Sequence, residues 1–359
     1  MKAIITAGGR GTRMRPLTFS TNKHFIPLAN KPLLFYAIET VAQAGIKEIA
    51  VNYNPGQLEE IKSRLGTGKK WGVKFTYLFQ EEPLGLGHIV KISQPFVGKE
   101  PFLMHLGDNI FHGGIKEFVD YFKEKLPDAL VPVVSHKENW RMGVPYFDEK
   151  GKLVKYVEKP EDPPNNLAIP GLYFFTASVF GCFEGKNQVK PSPRGEIEIS
   201  SVFQWLIDHR YRVETKEFEG IWKDPGKFND WLDTNQFLLD TSLDEKIESK
   251  LGQDVRLEGR VRIGRNCQIQ SSVLRGPIII GNRVKIKDSF IGPYSSISDD
   301  CQVTEAKVEN CVLMSDVRIE NLNKPLDSCV IGGESVIEGN DQDPKAIELF
   351  IGNQCLLRL

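Results

Sequence analysis

The stretch Ala7-Gly8-Gly9-Arg10-Gly11-Thr12-Arg13-Met14-Arg15-Pro16-Leu17-Thr18 decides how the chain reads. It follows the apolar run Ala3-Ile4-Ile5-Thr6, which predicts a buried strand. Glycine has no Cβ, so the backbone at Gly8, Gly9 and Gly11 can turn sharply and approach a ligand closely. N–H groups exposed in such a loop form an anion-binding concavity. Arg10, Arg13 and Arg15 add guanidinium forks that match phosphate oxygens. Strand, glycine loop and arginines together point to a nucleoside triphosphate. A solvated glycine turn is the plainer alternative, because short glycine motifs recur freely. A Walker A loop is excluded, since no Gly-Lys-Ser/Thr ends the stretch. A dinucleotide fingerprint is excluded too, because Met14 stands where its third glycine belongs.

Around this loop, residues 1–240 alternate apolar runs with amphipathic segments, the rhythm of an α/β sheet covered by helices on both faces. Strands are predicted at Lys2–Thr6, Glu48–Tyr53, Val73–Phe79, Pro101–Leu106 and Ala129–Val134. A helix is predicted from Pro32, in a first-turn position, to a stop at Gly45. Further helices fit near Gly56–Leu65 and Ile115–Lys125. Beyond residue 135 come short strands, Val144–Phe147, Leu153–Glu158 and Leu172–Phe175, with Asp148-Glu149-Lys150-Gly151 as a hairpin turn. A helix near Ile199–His209, a strand Val213–Phe218 and an amphipathic helix Lys227–Leu239 follow. In open sheets of this kind ligands bind at the carboxyl ends of strands. Gly8 to Arg13, Gln80 and Asp108 share that address.

From Val255 a different period appears. Val255, Val261, Cys267 and Val273 recur every six residues, and similar units continue toward the C-terminus. This is the hexapeptide repeat of a parallel β-helix. Two domains are expected, 1–240 and 241–359.

Composition narrows the partners. Lys+Arg 46 against Asp+Glu 47 leaves almost no net charge, which disfavours nucleic acid and anionic membrane. No apolar stretch reaches membrane-spanning length, and the first strand leaves no room for a signal peptide, so a cytoplasmic protein is expected. The six cysteines form no Cys-x-x-Cys pair, and buried structural thiols are expected.

Three further constellations carry chemistry. Leu106-Gly107-Asp108-Asn109 places a carboxylate at a strand end, and Trp222-Lys223-Asp224-Pro225-Gly226 supplies a second. Mg²⁺ takes one or two carboxylates plus phosphate oxygens and waters, so two aspartates suffice. Gly-Asp-Asn can equally be a simple turn. Gln80, in Phe79-Gln80-Glu81-Glu82-Pro83-Leu84-Gly85-Leu86-Gly87, can both donate and accept, which suits the imide edge of thymine or uracil. Val157-Glu158-Lys159-Pro160 pairs a carboxylate for a sugar hydroxyl with an ammonium for a phosphate, or is an edge-strand charge pair.

The glycine loop continues through Asn22-Lys23-His24-Phe25-Ile26-Pro27-Leu28 and Asn30-Lys31-Pro32-Leu33. This run resembles the signature of the sugar-1-phosphate nucleotidyltransferases. The resemblance extends over almost the whole chain and is closest to the long form of the thymidylyltransferase branch. It implies a Rossmann-like domain with a mostly parallel sheet, then a left-handed parallel β-helix. By resemblance Gly8, Gly9, Gly11, Thr12, Arg13 and Lys23 meet the triphosphate, and Gln80 and Gly85 read the base. Asp108 and Asp224 hold Mg²⁺, with Asp108 also at the nucleotide. Gly143, Glu158, Lys159 and Gly171 bind the sugar phosphate. The implied partners are a nucleoside triphosphate, dTTP or UTP, and a sugar-1-phosphate, with a homo-oligomer expected. His24, Met142 and Pro225 depart from the family pattern, where glutamine, an aromatic residue and threonine are usual. A coil domain that also transfers acetyl groups is one alternative. It conflicts with the histidines, since His24, His88, His105, His112, His136 and His209 all precede the repeats. A non-catalytic regulatory subunit is the other.

Overall fold

The structure, a computed structural model, describes residues 1–339. Cys355 and the last part of the expected 241–359 domain lie outside the described residues. The chain forms two compact units, each discontinuous in sequence. Met1–Gly9 and Leu34–Asp224 make the first; Arg10–Leu33 and the chain from Pro225 onward make the second.

The first unit is built on eight strands: β1 (Lys2–Thr6), β2 (Glu48–Tyr53), β3 (Lys74–Phe79), β4 (Phe102–Leu106), β5 (Ala129–Ser135), β6 (Leu167–Ala168), β7 (Leu172–Phe175) and β8 (Val213–Glu217). They lie in the order β6-β5-β7-β4-β1-β2-β3, with β8 paired to β5. β1 pairs in parallel with β2 on one side and β4 on the other, while β7 runs antiparallel to β4 and β5. This is the expected mostly parallel, Rossmann-like sheet. Its central strands read as unbroken apolar runs because both faces are covered. Ile4, Ile5, Ala50, Val51, Leu103 and Met104 are all fully buried. The chain switches direction across the sheet at β1, which opens a crevice at the carboxyl ends of β1 and β4.

The predicted strands appear in place, with Val73, Pro101 and Phe218 falling just outside. One helix start differs. Pro32 is not in a first turn: it pairs with Pro27, Lys31 pairs with Leu28, and the helix runs Leu33–Gln43. Ala29 and Asn30 close this hairpin with φ of 45° and 58°. That pair of left-handed residues reverses the chain too tightly for Pro32 to join the helix.

Among the described residues the second unit contains three stacks of parallel strands, of six, five and five members, consistent with a left-handed β-helix. Leu257, Leu274, Ile291 and Val308 stack in register, as do Ile269, Ile286, Val303 and Ile319. From Leu274 onward these side chains form a continuous apolar interior, while Leu257 at the end of its row is exposed. The strict six-residue period does not hold. From Ile269 the next buried apolar residue is Leu274, five positions on, so Val273 slips out of phase. One corner of each early coil is shorter by a residue, and Ser271, Asp288 and Glu305 turn it with φ of 45°, 47° and 47°. Among the described residues Cys182, Cys267, Cys301 and Cys311 are buried free thiols, as expected, while Cys329 is only half-buried. No described helix is long and apolar enough to cross a membrane.

Candidate active site

The glycine loop leaves β1 beside two asparagines that sequence reading passed over. Asn52 Oδ1 accepts from the N–H of Ala7 (2.9 Å) and of Gly8 (3.3 Å), and Asn54 Oδ1 accepts from Gly9 (2.7 Å). These N–H groups hold the loop to the end of β2. A Cβ on Gly8 would collide with both asparagine side chains. Asn52 Nδ2 also donates to Gln80 Oε1 (3.3 Å), so one buried amide links the glycine loop to the expected base-reading loop. Gln80 is itself buried. Its Nε2 donates to Gly85 O (3.4 Å) and to His88 Nδ1 (3.1 Å), which leaves acceptor capacity on Oε1. Burial, then the Lys91 charge, lowers the His88 pKa, which favours the neutral ring that can accept this bond. Gly85 sits at φ 92° at the start of the helix Leu86–Ile92.

Asp108 and Asp224 are far apart in sequence and are brought together by an antiparallel pair that sequence reading did not foresee. Ile110–His112 pairs with Ile221–Lys223, Lys223 opposite Ile110. The Asp108 turn is pinned to β1 by the Gly107 N–H, which donates to Thr6 O (3.0 Å) and Oγ1 (3.1 Å). Asn109, buried and also overlooked, ties the cluster together. Its Nδ2 donates to Asp108 Oδ1 (3.0 Å), and its Oδ1 accepts from Trp222 Nε1 (2.8 Å) and Gly171 N (3.3 Å). The loops of Asp108, Asp224 and Gly171 thus share one amide.

The expected sugar-phosphate residues gather in the same unit. Glu158 lies opposite Gly143 on the pair Gly143–Phe147 and Leu153–Glu158. A side chain on Gly143 would strike the Tyr156 hydroxyl. Lys159 turns at φ 49°, is anchored by its N–H on Met142 O (2.8 Å), and its Nζ lies 3.4 Å from Glu158. Burial raises the Glu158 pKa above the usual carboxylate range, and Lys159 offsets part of that rise. The fully buried Tyr173 phenol is pushed well above its ordinary value, first by burial and then by Glu158, Asp224 and Asp108.

In the second unit, Gly11, Thr12, Arg13 and Lys23 form the other expected cluster. Gly11 at φ 55° is fastened by Thr18 Oγ1, which donates to its carbonyl (2.8 Å). The Arg13 guanidinium lies against Gly226, where a Cβ would stand 3.1 Å from Nη1. Lys23 sits in a short turn capped by Asn22, whose Oδ1 accepts from His24 N (3.0 Å). Arg15 is laid over the Phe19 ring at 4.9 Å.

The nucleotidyl transferase family matches residues 2–241 of the chain. The chain is 34% identical over 354 residues to a glucose-1-phosphate thymidylyltransferase of Streptomyces antibioticus, covering 98% of each protein. It is 35% identical over 362 residues to the low-salt glycan biosynthesis nucleotidyltransferase Agl11 of Haloferax volcanii, covering 100% of each. A solved UDP-glucose pyrophosphorylase complexed with UDP-glucose superposes with a TM-score of 0.59 at 25% identity, over 67% of this chain and 98% of its own. With its family match across the glycine loop and both aspartates, and relatives spanning its full length, the chain belongs to the nucleotidyl transferase family and is a nucleotidyltransferase.

Proposed function

We propose that the protein transfers a nucleotidyl group from dTTP or UTP to a sugar-1-phosphate, with glucose-1-phosphate as the acceptor, releasing pyrophosphate. The joining of the Asp108, Asp224 and Gly171 loops through the single Asn109 amide carries this reading. It sets a metal-type carboxylate pair beside a sugar-side glycine in one unit. The sugar phosphate oxygen attacks the α-phosphorus in line and pyrophosphate leaves, with no covalent enzyme intermediate. Catalysis is then positioning and neutralisation of charge. Arg13 and Lys23 neutralise the triphosphate. Lys159 holds the sugar phosphate and Glu158 accepts from a sugar hydroxyl. Gly143 and Gly171 lie on the sugar side, where the lack of a Cβ leaves room for Tyr156 and Leu106.

Asp108 and Asp224 fit Mg²⁺. Their oxygens are hard donors, and among the described residues no group of three or more ligating side chains completes a site. That suits an ion which draws its remaining ligands from phosphates and waters. When bound, Mg²⁺ supplies charge neutralisation and alignment of phosphate oxygens. Residues 1–240 constitute the catalytic segment in this reading and the β-helix after it a structural or regulatory one, in a cytoplasmic homo-oligomer.

Base choice tests the nucleotide side. Oε1 of Gln80 has capacity to accept from the imide N–H of thymine or uracil, a contact that purines cannot make in the same geometry. With glucose-1-phosphate as acceptor, dTTP or UTP should be preferred over ATP and GTP by about 10–100-fold in kcat/KM, the effect of a buried partner left unpaired. Faster turnover with a purine triphosphate would refute the base assignment.

A further inference from the structure

The tip of the Pro27–Pro32 hairpin is strained. Ala29 and Asn30 both take left-handed backbone, and neither is glycine. Such conformations persist where the surroundings over-determine them. Here the surroundings are the helix Phe228–Ser242 and one coil of the β-helix, all within the second unit. On that helix Trp231 and Asn235 stand one turn apart, both buried. Trp231 Nε1 donates to Pro27 O (2.9 Å), and Asn235 Oδ1 accepts from the Ala29 N–H (2.8 Å). Asn235 then reaches the coil. Its Oδ1 accepts from Ser296 Oγ (2.8 Å) and its Nδ2 donates to Tyr294 O (2.9 Å). Asn30 makes a second bridge, with Nδ2 donating to Ile297 O (2.6 Å) and Oδ1 accepting from Ser298 Oγ (3.4 Å).

The hairpin is in turn continuous with the Lys23 turn. Leu33 N–H donates to Ile26 O (3.3 Å), Ile26 N–H to Lys23 O (3.2 Å), and Phe25 N–H to Asn22 O (2.8 Å). A short, fully hydrogen-bonded path therefore runs from the coil at Tyr294–Ser298 to the backbone of Lys23. Farther along the segment, Gly332 of a later coil lies against Leu17, where a Cβ would stand 3.0 Å from Cδ2.

We propose that the β-helix positions the triphosphate-binding segment: the 294–298 coil grips the Pro27–Pro32 hairpin through Asn235 and Asn30, and the hairpin fixes where Lys23 is presented. Asn235 and Asn30 are positioning residues for the nucleotide. This rests on the assignment of Lys23 to the triphosphate. The coil domain thereby acts on substrate affinity without carrying a reacting group. The amide of Asn235 uses both acceptor positions of Oδ1 and one donor of Nδ2, so truncating it releases the hairpin tip and the coil from each other.

The test uses the full-length protein, with Asn235→Ala and Asn30→Ala measured beside wild type. KM is determined for the nucleoside triphosphate and for the sugar-1-phosphate, together with the calorimetric Kd for the triphosphate and the melting temperature. Asn235→Ala should raise the triphosphate KM and Kd about tenfold, the effect of orphaning buried hydrogen-bonding groups. Asn30→Ala should raise them less. The sugar-phosphate KM should stay within about twofold of wild type, since its residues lie in the other unit. A purely structural role would lower the melting temperature and leave both KM values alone, and that result would overturn the proposal. An equal rise in both KM values would overturn it as well. Should Asn235→Ala not fold, Asn30→Ala alone decides between the same outcomes. A wild-type protein that binds no triphosphate and releases no pyrophosphate would instead defeat the functional reading on which the proposal rests.

Discussion

Asp108→Asn and Asp224→Asn are each expected to lower kcat by about 10³-fold, the scale seen when a charge-stabilising group is removed from a developing anion. Each substitution keeps shape and removes a negative charge. Asparagine retains a carbonyl oxygen, so the bond from Asn109 Nδ2 to position 108 can persist and the turn should hold. The melting temperature should therefore change little while turnover collapses. Raising Mg²⁺ should recover part of the rate, because a weakened site is filled by mass action. Initial rates across a Mg²⁺ titration, with melting curves alongside, check this. Near-normal rates at ordinary Mg²⁺ in both variants would remove the metal assignment.

Glu158→Gln should cost about 10²-fold in kcat/KM for the sugar phosphate, as for a charged acceptor lost from a partly buried site. It should also change the pH profile. Burial raises the Glu158 pKa, and Lys159 at 3.4 Å recovers only part of it. The ionised form is the one that accepts from a sugar hydroxyl, so activity falls as pH drops through this raised value. The acid limb of kcat/KM should lie above the usual carboxylate range in wild type and vanish in Glu158→Gln. An unchanged limb in the variant would assign the titration to another group.

The sheet was legible because its central strands are unbroken apolar runs, and the phosphate segment because glycines, arginines and Lys23 fall at fixed spacing. What escaped was polar and buried. Asn52, Asn109 and Asn235 each look like ordinary turn or surface residues, yet each is a hub joining segments remote in sequence. A signal existed for two of them. Asn52 interrupts the apolar run of Glu48–Tyr53, and Asn235 follows Trp231 at the spacing of one helix face. The approach of Asp224 to Asp108 was legible only by resemblance, because it depends on a pairing between strands more than a hundred residues apart. The coil period is imperfect for a local reason. A shorter corner shifts the phase by one residue, and residues such as Ser271 and Asp288 accept left-handed backbone without glycine to announce it.

The catalytic account is tested most directly by following phosphorus resonances while the full-length protein acts on glucose-1-phosphate and dTTP with Mg²⁺. The account predicts that pyrophosphate and a sugar nucleotide appear in equal amounts, that no inorganic phosphate forms, and that a chelator stops both. Failure to release pyrophosphate with any nucleoside triphosphate, or release of inorganic phosphate in its place, would contradict nucleotidyl transfer to a sugar-1-phosphate.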